Sequence, residues 1–271
     1  MNPKKNLFAA AATALIALSG CATVQTTNPG AVGVDRKQQM LVSEEEVEQG
    51  AQQAYAQELK KGRDAGKLNA DRALSTRVRN IAQRLIPVTG TFRPDAPRWN
   101  WEVNTLVTDD LNAYAMPGGK IMVYSGLANK LKLSDAELAA VIGHEIAHAL
   151  REHSRERISR AYAQQLALAG VAVVTGAGQG ALDIANTVAA VTFQLPHSRE
   201  QEAEADEIGM ELMARAGYDP NAAVSVWQKM MSANEGGPPE FLSTHPSPQT
   251  RIAGLQALVP KVMPLYKAAR S

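Results

Sequence analysis

Apolar residues recur at helical spacing along most of the chain and alternate over one stretch only. Ser43 and Glu46 form a capping box that opens a helix to about Lys61. Gly62 and Gly66 interrupt it, and Leu74, Val78, Ile81 and Leu85 then mark a second helix over 71–86. Alternation starts at Trp99-Asn100-Trp101-Glu102-Val103, after a loop set by Pro87, Pro94 and Pro97. It resumes in Asn112-Ala113-Tyr114-Ala115-Met116 and, past the turn Pro117-Gly118-Gly119, in residues 120–124. These strands predict a small antiparallel sheet. Ser134 and Glu137 form a second capping box, and no proline follows, so a helix is predicted to about Arg157. Leu138, Ala139, Ile142, Ile146, Ala149 and Leu150 make its core face. Residues 161–195 carry two apolar runs around Gly176 and Gly180, which predict a helical hairpin too short to span a bilayer. Further helices are predicted over 198–216, ended by Gly217, from Pro220 to about Ala233, and around Arg251. The class is α+β, mainly helical.

The amino terminus follows neither period. Lys4 and Lys5 precede an apolar run over 7–18, and Leu18-Ser19-Gly20-Cys21 resembles the bacterial lipobox. The expected organisation is a lipoprotein signal peptide (1–20), lipidation at Cys21, a polar tether (21–42) and one domain (43–271). Ala22 rather than Asp after the cysteine implies sorting to a bacterial outer membrane, with the domain lipid-anchored on the periplasmic face. Cys21 is the only cysteine, which excludes an internal disulfide and a Cys-rich zinc site. With a net charge of +1 and no basic stripe interleaved with aromatics, no nucleic-acid partner is expected.

The candidate chemistry sits in the helix opened by Ser134, at His144-Glu145-Ile146-Ala147-His148. On a helix His144 and His148 lie roughly 40° apart and about 6 Å along the axis, so both imidazoles can address one ion. Glu145 is about 100° round from His144, placed to reach a water rather than the ion. Five histidines in 271 residues make the H-E-x-x-H spacing rare by chance. Arg151 and Ser154 stand where a metzincin needs Gly and His, so that class is rejected, and His153 is out of register. His153 is expected to be a packing or helix-end residue, and His197 receives no role.

The third ligand is sought in the helix over 198–216. A helical wheel puts Glu200, Glu204, Glu207, Glu211 and Arg215 on one solvent stripe, and Glu202 and Asp206 on the side of Ala205, Ile208, Gly209, Leu212 and Met213. Two carboxylates on a buried face need compensation. A zinc ion for Glu202, and an imidazole N–H held by Asp206, would supply it. The strand residues Asn112, Ala113, Tyr114 and Ala115 are candidates for pairing with an extended peptide.

Taken in order, Asn-Ala-Tyr-Ala-Met-Pro-Gly-Gly at 112–119, His144-Glu145-x-x-His148, Ser198-Arg199-x-x-Glu202-x-x-x-Asp206 and Ser-Thr-His245-Pro resemble the zinc endopeptidase family of the CAAX prenyl protease, HtpX and the mitochondrial Oma-type protease. Within it the likeness is to the periplasmic and lipoprotein members LoiP and BepA. The resemblance implies a zincin-like (gluzincin) domain with one Zn2+ per chain, held by His144, His148 and Glu202. It implies Glu145 as general base, and His245 near the metal as either a regulatory fourth ligand or a transition-state donor. It further implies unfolded, misfolded or stalled envelope proteins as substrates, with the outer-membrane assembly machinery as a partner. The competing function is a metal-containing chaperone or assembly factor without significant proteolysis.

Overall fold

The computed structural model describes residues 22–175, 184–233, 240–245 and 248–271. The expected signal peptide, Cys21, the centre of the 161–195 hairpin and the Gly-Pro loop before Glu240 lie outside these residues.

The chain opens with two short antiparallel strands, β1 (Ala22–Val24) and β2 (Gln38–Met40). Helix α1 (Glu44–Asp64) begins at the Ser43/Glu46 capping box, and α2 (Arg72–Leu85) at Asp71, whose carboxylate accepts from the Leu74 amide. Strands β3 (Glu102–Leu106), β4 (Ala113–Met116) and β5 (Lys120–Tyr124) follow, then the short α3 (Ser125–Lys130). Next come α4 (Asp135–Leu150), α5 (His153–Thr175), α6 (Ile184–Phe193) and α7 (Arg199–Arg215). The last are α8 (Asn221–Ser232), α9 (Glu240–Thr244) and α10 (Pro248–Ala268). Among the described residues no helix is long and apolar enough to cross a membrane.

The mainly helical α+β class holds, but the sheet is mixed. Its order is β3-β5-β4, with β4 and β5 antiparallel and β3 and β5 parallel. Gly118 and Gly119, at φ 72° and 77°, turn the hairpin back on itself. That hairpin takes one edge of β5, so β3 pairs on the other, where Leu106 also bridges Leu68. Strand β4 is left as the edge nearest α4.

Three further expectations are corrected. Helix α4 ends at Leu150 rather than near Arg157, because Glu152 takes a left-handed conformation (φ 51°) and α5 sets off in a new direction. The segment expected as a tether is packed down: Val32 and Val34 enter the main core, Thr27 and Gln38 are buried, and Arg36 pairs with Glu156 and Glu204. That segment covers the face of α7 assigned to solvent. Glu211 is fully buried and accepts from the Val32 amide (2.9 Å), while Glu204 is buried between Arg36 and Arg151.

Candidate metal centre

Two glycines set the distance between α4 and α7. A Cβ on Gly209 would lie 2.8 Å from the His144 amide nitrogen, and one on Gly143 would lie 3.0 Å from the Gly209 carbonyl. Backbone therefore meets backbone, and the helices close to a spacing that no side chain there would permit. Two turns earlier on α7, this approach delivers Glu202 to the histidines of α4.

The Nε2 atoms of His144 and His148 are 3.0 Å apart, and His148 Nε2 is 3.4 Å from Glu202 Oε1. Glu202 Oε2 is 3.6 Å from His144 Nε2. His245, following α9, directs Nδ1 into the same space, 2.9 Å from Glu202 Oε1 and 3.3 Å from His144 Nε2. These four buried residues offer ligand atoms within 4.8 Å of one another. Nitrogen and carboxylate donors converging at that spacing suit a zinc-sized divalent cation, and a positive ion between them would offset the burial of Glu202. Glu145 fits the same picture. Its Oε1 has no hydrogen-bond partner although buried, while Oε2 accepts from the Ala115 amide of β4 (3.2 Å).

The supporting residues are charged and buried. His144 Nδ1 lies 3.0 Å from Asp206 Oδ1, within reach of the orienting role expected of that carboxylate. Arg251 of α10, for which no role was expected, grips Asp206 through Nε (2.7 Å) and Nη2 (2.5 Å) and pairs through Nη1 with Glu202. Its guanidinium lies on the Trp227 ring, 3.7 Å from the centroid. The motif scan could not reveal Arg251, because its partner charges are 45 and 49 residues away.

Electrostatics follow from burial. Burial pushes Glu145 up to about 7, suited to a proton carrier near neutral pH. Burial also lowers His144 and His148, favouring the neutral form that can bind a metal ion. Glu202 is raised by burial but drawn well below its ordinary range by His245 and Arg251, and Asp206 is lowered chiefly by Arg251 against the same penalty. Burial opposes protonation of His245, yet the Glu202 and Glu145 charges raise it overall.

Beyond the ligands lies a second row. His153 Nδ1 is 2.7 Å from His148 Nδ1, and His153 Nε2 is 2.9 Å from Glu204 Oε2. The Arg151 side chain is completely buried against Glu204, and Arg36 joins Glu204 to Glu156. His197 stacks on His245 (5.0 Å between centroids), with Arg157 Nη1 at 3.0 Å from its Nε2. Both histidines set aside in the sequence thus sit at the site.

The architecture and donor set define a zincin-like metallopeptidase domain. The family model for Peptidase family M48 matches residues 72–259, and the chain belongs to that family. It is 41% identical over 155 residues to the mitochondrial metalloendopeptidase OMA1 of Arabidopsis thaliana, covering 56% of this chain and 30% of that protein. To the OMA1 of Saccharomyces cerevisiae it is 32% identical over 206 residues, covering 72% and 58%. To the beta-barrel assembly-enhancing protease of Escherichia coli it is 31% identical over 170 residues, covering 58% and 34%. The chain therefore spans from under a third to under two thirds of these relatives' length. The comparisons bear out the BepA and Oma-type likeness without singling out LoiP. They overturn the expected location on a bacterial outer membrane: the plant and yeast relatives are mitochondrial proteins. That expectation rested on residues 1–22, which the family match does not include.

Proposed function

We propose that this chain is a zinc-dependent endopeptidase that cleaves extended segments of unfolded or misfolded polypeptides. The observation that carries the proposal is the Glu145 carboxylate, one oxygen tied to the edge strand and the other unpartnered beside the His144/His148/Glu202 cluster. His144, His148 and Glu202 would hold the ion. Zinc in such a site supplies Lewis acidity, polarising a scissile carbonyl and lowering the pKa of a water.

The remaining work belongs to the protein. Glu145 takes the proton of the attacking water and passes it to the leaving amine, a shuttle for which a carboxyl poised near 7 is suited. Asp206 and Arg251 fix His144 and Glu202, so the donors do not reorganise as charge develops. In β4 the Ala113 amide bonds the Asn112 side chain and the Ala115 amide bonds Glu145, so neither is spent on β5. A substrate strand laid along Asn112, Ala113, Tyr114 and Ala115 would take over these amides from the Asn112 side chain and Glu145, pair through main-chain groups and select weakly by side chain. His245 is assigned the fourth-ligand position, since its Nδ1 already points at Glu202 and His144. The name of the Escherichia coli relative ties that protein to β-barrel assembly, which supports substrates stalled before assembly.

The test is metal content together with cleavage of an unfolded protein by wild type and Glu145→Gln. The expected result is one zinc per chain in both, with cleavage in the wild type only. Wild-type protein free of metal after zinc loading, or full cleavage by Glu145→Gln, would overturn the proposal.

A further inference from the structure

Residues 148 and 153 would face about 140° apart on a continuous helix and could not meet. Their rings touch because the helix is broken between them. Glu152 adopts the left-handed conformation at φ 51°, which is strained for a non-glycine residue. Arg93 and Arg155 hold its carboxylate (2.7 and 2.6 Å), and Arg151 is anchored in the interior beside it. The bend returns the His153 ring under His148, with Nδ1 facing Nδ1 at 2.7 Å and both rings buried.

At that distance one nitrogen must donate and the other accept. Glu204 is an acceptor 2.9 Å from His153 Nε2, so that nitrogen carries a hydrogen. If His148 Nε2 faces the metal, its Nδ1 carries the other hydrogen and His153 Nδ1 accepts it. The reverse pattern would place a hydrogen on His148 Nε2, in the space shared with His144 and Glu202, and forbid ligation. A single arrangement satisfies every atom in the row.

We propose that His153 is a positioning residue for the ligand His148, accepting from His148 Nδ1–H and donating from Nε2–H to Glu204. His144 receives its orientation directly from the Asp206 carboxylate; His148 receives the same service from Glu204 through an intervening imidazole. Arg36 and Arg151 keep Glu204 in place from the opposite side. This inference rests on the proposal that His148 is a metal ligand.

The test compares zinc affinity, by competition with a chromophoric chelator, in wild type, His153→Phe and His153→Gln. Phe keeps a ring and loses both hydrogen bonds, whereas the Gln amide can accept from one neighbour and donate to the other. Zinc binding should weaken about 10–100-fold in His153→Phe and recover towards wild type in His153→Gln. In zinc-loaded wild type, the imidazole 1H–15N spectrum should show His153 protonated at Nε2 and His148 at Nδ1. Unchanged affinity in His153→Phe, an equal loss in His153→Gln, or a proton on His153 Nδ1 would overturn the proposal. Should His153→Phe fail to fold, the wild-type spectrum decides. Wild type that takes up no zinc would overturn both this inference and the proposed function, whereas unchanged zinc binding in His153→Phe would strike this one alone.

Discussion

Nε2 of His245 stands 3.5 Å from Oε1 of Glu145, the buried side-chain oxygen that finds no hydrogen-bond partner among the described residues. Nδ1 of the same ring is 2.9 Å from Glu202. One imidazole therefore lies between the proposed base and a proposed ligand, in the space a substrate carbonyl would enter.

If His245 closes the site as a fourth ligand, His245→Ala should keep zinc through the other three residues and cleave unfolded protein at least as fast as wild type. If it instead donates a hydrogen bond to the developing oxyanion, the same variant should lose about 10²–10³ in rate with zinc retained. Single-turnover cleavage by zinc-loaded protein separates the two.

The raised Glu145 pKa carries a stability signature in metal-free protein. Its carboxyl is neutral in the fold up to about 7 but ionises near 4.5 when unfolded, so the fold binds the extra proton between those values. Wild type should lose stability as pH rises through that window. Glu145→Gln should remove this loss, gaining up to about 3 kcal/mol at pH 8 over its difference at pH 4. Urea unfolding at the two pH values measures it, and a pH-independent gap would count against the buried-carboxyl account.

Gly209→Ala should be severe for so small a change. The added methyl would meet the His144 backbone at 2.8 and 2.9 Å, and α7 would have to move away and take Glu202 with it. Stability should fall by about 1–3 kcal/mol, with weaker zinc binding. Gly254→Ala, inside α10 with nothing within 4 Å of the new atom, is the control: it should leave zinc binding unchanged and, if anything, raise stability by about 0.5–1 kcal/mol.

Arg36→Met should destabilise the fold although it lies in a segment without regular periodicity. Glu156 and Glu204 are raised by burial, but hydrogen bonds to Arg36, with Gln201 for Glu156 and His153 for Glu204, hold both down at about 2. Carboxylates depressed in this way stabilise fully above their ordinary value near 4.5, and lose that contribution as pH falls towards 2. The variant should be less stable by about 2 kcal/mol at pH 7, with the gap shrinking below pH 4.5. A constant gap in urea unfolding from pH 7 to pH 3 would contradict the ion-pair origin.

Local signals carried much of the architecture. The capping boxes at Ser43 and Ser134 are formed as the spacing required, and Asp206 stands behind His144 where the wheel put it. Two of the failures share one cause. A segment with no period looked like a tether, so the α7 face carrying Glu204 and Glu211 looked like solvent; in the fold the one covers the other. Periodicity reports which face is apolar, and it cannot register a face buried through ion pairs. The break at Glu152 was equally hidden, because Arg, Glu and His are all acceptable in a helix and only distant partners hold the bend. Parallel pairing of β3 was not legible either, since alternation gives a strand's faces and not its neighbours.

The grip of Arg251 on Asp206 and Glu202 also bears on when the site can exist during synthesis. Those acids and the histidines of α4 leave the ribosome well before α10 does, yet Asp206 meets its chief buried countercharge only once Arg251 has arrived. A chain lacking α10 holds Asp206 without that partner where the closed site belongs, and its carboxylate would open to water rather than stay buried. Arrival of α10 is thus a condition for closing the site around these acids.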